Sequence, residues 1–301
     1  MARLTDNRNT MTGVIHFLRS RHWRARAGNA SVILALAFGA LIASGAPEWQ
    51  TLAPGMELRY VTPHGASGSN SAITILRIDP KQWELALLGT SQTGELAGHT
   101  AREWCMKGKF TAAINAGMFS TDGKSHIGYM RNGEYVNSSK RNSYQSVAAF
   151  NPHDGGTAAF RIFDLDAPGV SFEGILKDYG AVVQNLRLIK RAGVNAWPSQ
   201  DKKWSEAALA EDDGGRILFI FLREPFSMHD LNQELLGAGI GIVAAQHLEG
   251  GPEAQLYFRA GGVEREMFGS YGASLRVNGE STIPWPIPNV LAVRPRQPAG
   301  R

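Results

Sequence analysis

Two short glycine-containing segments carry the polar side chains that are best placed for chemistry. Residues 112–119 read Ala-Ala-Ile-Asn-Ala-Gly-Met-Phe, and residues 247–253 read His-Leu-Glu-Gly-Gly-Pro-Glu. In each, an apolar run leads to a polar side chain, Asn115 or Glu249, and glycine follows within two residues. The strand fixes the backbone, and the glycine lets a ligand or a second segment approach closely. A strand that runs into a tight turn gives the same pattern, so both interpretations stay open for either segment alone.

Together the two segments resemble the phosphodiester glycosidase family, whose members carry an Ile-Asn-Ala-Gly-x-Phe-like segment early and a Leu-Asp-Gly-Gly-like segment late. The resemblance runs from about residue 73 to residue 293. It includes three intermediate segments, residues 128–133, 183–189 and 216–221. One position departs from the family pattern, because Glu249 stands where an aspartate is usual. The additional methylene moves the carboxylate by more than about 1 Å, and catalytic geometry is sensitive on that scale.

The resemblance implies roles for individual residues. Glu249 takes the family's acidic position and is the first candidate for a catalytic carboxylate, because carboxylates flank the cation-like sugar formed when a glycosidic bond breaks. A solvated turn carboxylate is the alternative. Asn115 is expected to contact the ligand or to support the site, and an asparagine that merely holds a turn fits as well. The other substrate-binding candidates in the matching segments are Gly117, Phe119, Gln184, Gly250 and Gly251.

A phosphate-containing substrate also calls for cationic groups. Arg187 lies within the segment 183–189, and Arg223 ends the most apolar predicted strand. Both are candidates because the arginine side chain suits bidentate contact with phosphate. For Arg223, an ion pair with Glu224 or Asp230 is the competing interpretation.

His126 is the remaining catalytic candidate. It follows Asn115 on a polar loop, and a histidine there could donate a proton near neutral pH. Asp122, on the same loop, fits a carboxylate partner or an oxygen ligand, while His229 and His247 also fall near the motifs. No histidine pair has the spacing of a zinc site. The sequence requires no cofactor, but a divalent cation such as Ca²⁺ or Mg²⁺, held by oxygen ligands, stays open.

Residues 1–46 are predicted to be a targeting segment. Arginines at positions 19, 21, 24 and 26 precede an 11-residue apolar run, residues 32–42, which small residues follow. This order is typical of a secretory signal peptide, and the run is shorter than the about 20 residues of a membrane-spanning helix. A signal anchor that tethers the chain through residues 30–46 is the alternative. The chain is therefore expected to be exported to the periplasm or the extracellular space.

The charge of the chain is concentrated in this segment. Residues 1–46 hold six of the 31 basic and one of the 27 acidic residues, so residues 47–301 keep 25 basic and 26 acidic residues, a net charge of −1. Nucleic-acid binding usually needs a basic patch on the folded domain, and the composition gives no support for one. The single cysteine, Cys105, cannot form an internal disulfide and is expected to be buried.

The order of predicted elements favours an α+β fold in one domain, residues 47–301, with a mixed β-sheet and a few packing helices. Hairpins are predicted over residues 72–88 and 147–163, and helices over residues 100–107 and after the cap residue Ser227. The strand–helix–strand order over residues 216–247 predicts a parallel pair joined by a crossover helix.

The function predicted from the sequence is an exported hydrolase that cleaves a glycosyl phosphodiester in a cell-envelope or extracellular glycan. One alternative is a non-catalytic carbohydrate-binding or envelope polysaccharide assembly protein of the same fold. Another is a metal-dependent phosphodiesterase that cleaves a P–O bond, although the sequence shows no evident ligand cluster.

Overall fold

The computed structural model describes residues 48–65, 71–270 and 283–297. The predicted targeting segment, residues 1–46, lies outside these residues. Within the described part of the chain, no helix is both long enough and apolar enough to cross a membrane.

The described strands are β1 (Gln50–Ala53), β2 (Met56–Val61), β3 (Ile73–Ile78), β4 (Trp83–Gly89), β5 (Ala112–Asn115), β6 (Met130–Asn132), β7 (Tyr135–Ser138), β8 (Ser146–Pro152), β9 (Phe160–Asp164), β10 (Tyr179–Asn185), β11 (Arg187–Lys190), β12 (Val194–Asn195), β13 (Trp204–Asp212), β14 (Ile217–Phe226), β15 (Ile242–Gly250), β16 (Gln255–Ala260), β17 (Val263–Phe268) and β18 (Asn289–Pro295). The helices are α1 (Thr90–Thr93), α2 (Ala101–Gly108), α3 (Phe172–Asp178) and α4 (Met228–Gly237), with one 3₁₀ turn at Gly251–Glu253.

These strands form three sheets. The large sheet has the order β1-β2-β3-β14-β13-β15-β11-β12, the second sheet β7-β6-β10-β8-β9, and the third sheet β17-β16-β5-β18-β4. All strand pairings among the described residues are antiparallel. The predicted α+β class is confirmed, and strands predominate over helices.

The local sequence explains why these elements form. In β14, the residues from Ile217 to Leu222 are all buried, because this strand lies inside the large sheet with both faces covered. By contrast, β4 alternates buried and half-buried positions. Helix α2 begins with a capping box in which the Thr100 hydroxyl accepts from the Glu103 amide and the Glu103 carboxylate accepts from the Thr100 amide. Helix α4 begins at the predicted cap, since the Ser227 hydroxyl accepts from the Asp230 amide.

One apolar core joins the three sheets. Its members include Leu76, Phe219 and Leu248 from the large sheet, Phe150 and Val183 from the second, and Ile114 and Leu291 from the third. Each such side chain contributes about 1.5–3 kcal/mol through burial. The opposite face of the large sheet packs against α4 through a separate cluster that includes Ile220, Leu231 and Leu235. The ends of β5, β10 and β15 therefore meet on a shared apolar base.

The hairpin predicted over residues 147–163 is confirmed, since β8 and β9 pair antiparallel. The hairpin predicted over residues 72–88 is wrong, because β3 pairs with β2 and β14 whereas β4 pairs with β18 in another sheet.

The predicted parallel pair is also wrong. Strands β14 and β15 run in the same direction, but β13 lies between them and pairs antiparallel with both. The intervening strand comes earlier in the chain, so the local strand–helix–strand order does not show it. Cys105 is buried in α2, as predicted, and burial raises the pKa of its thiol well above the usual range.

Candidate functional site

The two glycine-containing segments are in direct contact. Asn115 ends β5, and its side-chain oxygen accepts a hydrogen bond from the backbone amide of Gln255 at 3.0 Å. Gln255 begins β16, two residues after the 3₁₀ turn Gly251–Glu253 that follows Gly250. Asn115 is fully buried, so its side chain fixes the late motif relative to the early one.

A third segment joins them through Asn185, the last residue of β10. Its side-chain amide donates to the carbonyl of Ala116 at 3.3 Å. The same amide nitrogen lies 3.0 Å from the place where a Cβ on Gly117 would stand, and the His126 ring lies at 2.7 Å from it. Gly117 also has a positive φ of 154°. Glycine is therefore required here because two side chains pack onto its backbone.

His126 packs against Gly117 in this region and has 2 % of its surface exposed. One ring nitrogen, Nδ1, is 2.9 Å from the carbonyl oxygen of Met118, and the other, Nε2, is 2.7 Å from that of Gln184. Burial lowers the pKa of His126, although both carbonyls favour the protonated ring. With both nitrogens facing protein oxygens, His126 is placed to link two segments rather than to reach a substrate.

Gln184 and Phe119 also make contacts with the protein. The Gln184 side chain donates to the carbonyls of Asn142 and Tyr144, and its oxygen accepts from the amides of Tyr129 and Asn142. It thereby anchors the segment that carries Tyr144. Phe119 packs against the apolar cluster around α2.

Glu249 lies at the end of β15 and is half-buried. Burial raises the pKa of its carboxyl to about 7, against the opposing effects of His247 and of the Gly250 amide, while Glu253 and Glu206 raise it further. The negative charge of Glu249 in turn raises the pKa of Tyr144, whose larger cause is burial. A carboxyl that titrates near neutral pH can exchange protons with a substrate or with water.

A buried acid–base pair lies beside Glu249. His247 Nδ1 is 2.6 Å from Oε1 of Glu206, and both side chains are almost completely buried. The indole nitrogen of Trp204 donates to the other oxygen of Glu206 at 2.9 Å. Burial lowers the pKa of His247, but the charge and hydrogen bond of Glu206, together with the charge of Glu249, outweigh this effect and raise it. Burial also raises the pKa of Glu206, against the opposing effects of His247 and of the Trp204 indole. The pair therefore shares its proton, with the ring held against the carboxyl group.

Two half-buried tryptophans enclose this pair. The ring centroids of Trp197 and Trp204 lie 6.5 and 6.4 Å from that of His247. Gly250 is required where Trp204 packs, because a Cβ on Gly250 would overlap the indole ring. Gly251 has a positive φ of 67°, which turns the chain away from the strand.

Sequence reasoning missed Glu206, Asn185 and Tyr144 and assigned no role to His247. Glu206 belongs to β13, a strand that was not predicted. The only signal was an acid at the start of a long alanine- and leucine-containing run, where a buried charge needs a partner.

Neither candidate arginine presents an unengaged guanidinium. Arg187 contacts Asp166 at 2.6 Å and Asp164 at 3.3 Å. Arg223 donates to the carbonyl of Phe268 at 2.6 Å, and its guanidinium lies 4.9 Å from the Phe268 ring. Protein carboxylates already compensate the charge of Arg187.

Among the described residues, five side-chain amides leave one enclosed polar atom each without a partner, and three of them lie where the sheets meet: Asn115 Nδ2, Asn185 Oδ1 and Gln246 Nε2. Gln246 is tied to the same region, since its oxygen accepts from Ser146 at 3.2 Å and Ser146 pairs with Asn185 across the second sheet. Unsatisfied buried amides are uncommon, and these three lie where strands of the three sheets meet.

The described residues contain no group of three or more His, Cys, Asp or Glu side chains that could hold a metal ion. Asp122 closes its own loop, because its carboxylate accepts from the amides of Lys124 and Ser125.

Comparisons with known proteins bear on the whole domain. The catalytic domain of zebrafish N-acetylglucosamine-1-phosphodiester alpha-N-acetylglucosaminidase, auto-inhibited by its pro-peptide, is similar with a TM-score of 0.59 at 13 % identity, covering 85 % of each chain. A hypothetical protein from Synechocystis is similar with a TM-score of 0.56 at 14 % identity, covering 84 % of this chain and 64 % of that one. At such identities the likeness concerns the fold. No curated protein sequence matches significantly. The model of the phosphodiester glycosidase family matches residues 108–294, and the chain therefore belongs to this family.

Proposed function

We propose that this protein is an exported hydrolase that cleaves a glycosyl phosphodiester in a cell-envelope or extracellular glycan. Membership of the phosphodiester glycosidase family supports hydrolysis of a glycosyl bond. The observation that carries the proposal is the Glu249 carboxyl, which ends a strand beside Gly250 and Gly251 and whose pKa is raised by burial to about 7.

The chemistry of the substrate assigns Glu249 its role. A phosphate monoester is a good leaving group, since its second pKa is near 6, so departure needs little help from a general acid. The attacking water does need a base. In its ionised form Glu249 takes the proton of that water while the oxygen attacks the anomeric carbon. The bond from that carbon to the phosphate oxygen breaks, and the leaving phosphate keeps the electron pair.

The surroundings suit a sugar ligand. The rings of Trp197 and Trp204 are half-buried and lie beside the acid–base groups. Aromatic rings of this kind offer an apolar face together with a polar edge, which matches a sugar ring with its apolar and hydroxyl-bearing faces. Tyr144, brought close by the Gln184 anchor, adds a hydroxyl group.

The central test compares the parent chain with Glu249→Gln on a panel of sugar 1-phosphodiesters, with release of reducing sugar as the readout. We expect turnover by the parent and a loss of at least about 100-fold in the variant, in line with removal of a general base. Glu134→Gln, at an exposed glutamate, is the matched control and should keep parental activity.

Two further arms sharpen this test. Glu249→Asp restores the residue usual in the family and reports how far the additional methylene matters. Assays with a chelator and with added Ca²⁺ or Mg²⁺ report any need for a cation. A folded parent that binds sugar phosphates but turns over none of the panel would contradict the proposal and favour the non-catalytic carbohydrate-binding alternative.

Export is tested separately. Residues 1–46 would be fused to a reporter enzyme that is active only outside the cytoplasm. Activity that depends on the apolar run at residues 32–42 supports export, and release of the reporter from the membrane distinguishes a cleaved signal from an anchor. A reporter that stays inactive would contradict the proposed location.

A further inference from the structure

The proposed substrate carries a negative charge, and the site must hold it. Cationic or hydrogen-bonding groups that meet a phosphate stabilise both binding and the charge that develops on the leaving group. Arg187 is engaged by two aspartates and Arg223 by Phe268. Lys202 and Lys203 are exposed residues before β13. His247, two residues earlier on β15, is a buried basic side chain whose charge acts on Glu249.

The two ring nitrogens of His247 have different surroundings. Nδ1 is bonded to Glu206, whereas Nε2 has no hydrogen-bond partner among the described residues. The side chain keeps 7 % of its surface exposed, and Nε2 is not among the fully enclosed polar atoms that lack a partner. His126 differs in that both of its nitrogens face protein carbonyls. Of these two histidines, only His247 has a ring nitrogen left for a ligand.

Glu206 determines how His247 is held. Its carboxylate is completely buried, is fixed by the Trp204 indole and accepts from Nδ1, so the ring is oriented with Nε2 directed away from Glu206. A carboxylate behind one nitrogen of a histidine sets the orientation of the ring and favours its charged form. The titratable groups around this region are Glu206 from β13, Glu249 from β15, Glu253 from the following turn and the Tyr144 hydroxyl. Lys202 lies on the outer side, with its ammonium 5.4 Å from the centroid of the Trp204 ring.

We infer that His247 is a substrate-binding residue whose Nε2–H donates to a phosphate oxygen of the substrate, and that Glu206 is the positioning residue that orients its ring. This assignment rests on the proposed function for the identity of the anion. The two residues then have separate roles: Glu249 takes the proton of the water that attacks the anomeric carbon, and His247 binds the phosphate.

The test uses dimethyl phosphate as a probe, because its single negative charge does not change over the pH range of the titration. Binding to the full chain is followed by NMR, through the His247 ring resonances and the backbone amides of Gly250 and Gly251. We expect the probe to shift the His247 signals and to raise the pH at which its ring loses the proton. In His247→Gln the affinity should fall by at least about tenfold, as expected for loss of a charge-assisted hydrogen bond. His153→Gln, at an exposed histidine, should bind like the parent.

Glu206→Gln distinguishes electrostatics from packing, because it keeps the size of the side chain and an oxygen for Trp204. Probe affinity should fall as rising pH deprotonates His247, and without the Glu206 carboxylate this fall should occur at lower pH. If Glu206 had a purely structural role, its replacement would weaken binding equally at every pH. Near-UV circular dichroism checks that each variant is folded. The inference would be overturned if folded His247→Gln bound dimethyl phosphate as tightly as the parent, or if the probe did not shift the His247 ring resonances of the parent chain.

The two proposals fail separately. If the parent chain hydrolyses the sugar panel, the proposed function stands whether or not His247 binds the probe. If the parent chain binds dimethyl phosphate through His247 but hydrolyses none of the panel, only the proposed function is overturned.

Discussion

Glu249 lowers the stability of the fold at neutral and alkaline pH. Its carboxyl sits at a half-buried strand end where burial opposes ionisation, and its pKa rises from 4.5 to about 7. A carboxyl whose folded-state pKa is raised binds its proton more tightly in the folded than in the unfolded chain. Stability therefore falls as pH rises from the unfolded value towards the folded one. Functional groups commonly carry such a cost.

Replacement of Glu249 by glutamine should remove this cost. At pH 8 we expect Glu249→Gln to raise the free energy of unfolding by about 1–3 kcal/mol, which is less than the full shift of the pKa from 4.5 to about 7 would give. At pH 4.5, where the folded-state carboxyl is protonated, the variant and the parent should differ little. Urea unfolding at the two pH values measures the difference. A variant less stable than the parent at pH 8 would contradict the raised pKa, and Glu134→Gln again serves as the control.

At this scale the sequence shows single residues but not their partners. The positions of Asn115 and Glu249 at the ends of strands followed from the apolar run and the glycine after it. The Glu206–His247 pair did not, because its members lie 41 positions apart and meet only through the pairing of β13 with β15. His126 was expected to face the ligand for the same reason, because the sequence does not show that both ring nitrogens lie against the carbonyls of Met118 and Gln184.

At the scale of elements, the ends of β5, β10 and β15 must approach closely. Strand β15 contributes a bulge here, since Ala207 and Ala208 pair with Glu249 and His247 and leave Leu248 as an additional residue. Bulges beside functional sites redirect side chains. Gly117 allows the approach of His126 and Asn185 from the neighbouring segments.

Gly117→Ala should disturb this junction. Its Cβ would stand 2.7 Å from the His126 ring and 3.0 Å from the Asn185 amide, in a backbone conformation that other residues rarely adopt. We expect a loss of about 1–3 kcal/mol in stability, typical of overpacking, and a fall in activity beyond what the loss of folded protein explains. Gly155→Ala is the matched control, because its Cβ would meet nothing within 4 Å. Thermal melts and kcat/KM of both variants give the comparison, and an undisturbed Gly117→Ala would refute the close packing.

Several elements were predictable because their signals are local. The Ser227 cap, the apolar β14 and the hairpin of β8 and β9 each follow from adjacent residues. The strands β3 and β4 were also predicted, but their pairing as a hairpin was not correct, because β3 pairs with β2 and β14 whereas β4 pairs with β18. Strand β13 was not predicted, since its alanines and acids lack the β-branched and aromatic residues that usually mark a strand. Its burial between β14 and β15 supplies the stability that its own composition does not. The parallel pairing was inferred wrongly for the same reason.

At the scale of the whole molecule, the site combines groups from all three sheets. Glu249, His247 and Glu206 belong to the large sheet, Asn185 to the second and Asn115 to the third. The common apolar core holds the sheets at fixed positions. No single segment contains the site, so its chemistry depends on charges set by tertiary contacts and should show this in its dependence on pH.

The pH dependence of kcat/KM reports the ionisations of the free protein. In the proposed mechanism Glu249 acts as a base and must be ionised, so activity should rise as pH increases towards its pKa of about 7. If His247 binds the phosphate as we infer, its ring must be protonated, and since Glu206 raises its pKa, activity should fall again at higher pH. The expected profile is a bell. Glu206→Gln should move the descending limb to lower pH, because the ring loses its carboxylate partner while burial persists. If the descending limb occurred at the same pH in the parent and in Glu206→Gln, His247 would not be the group that binds the phosphate, and another cation would have to do so.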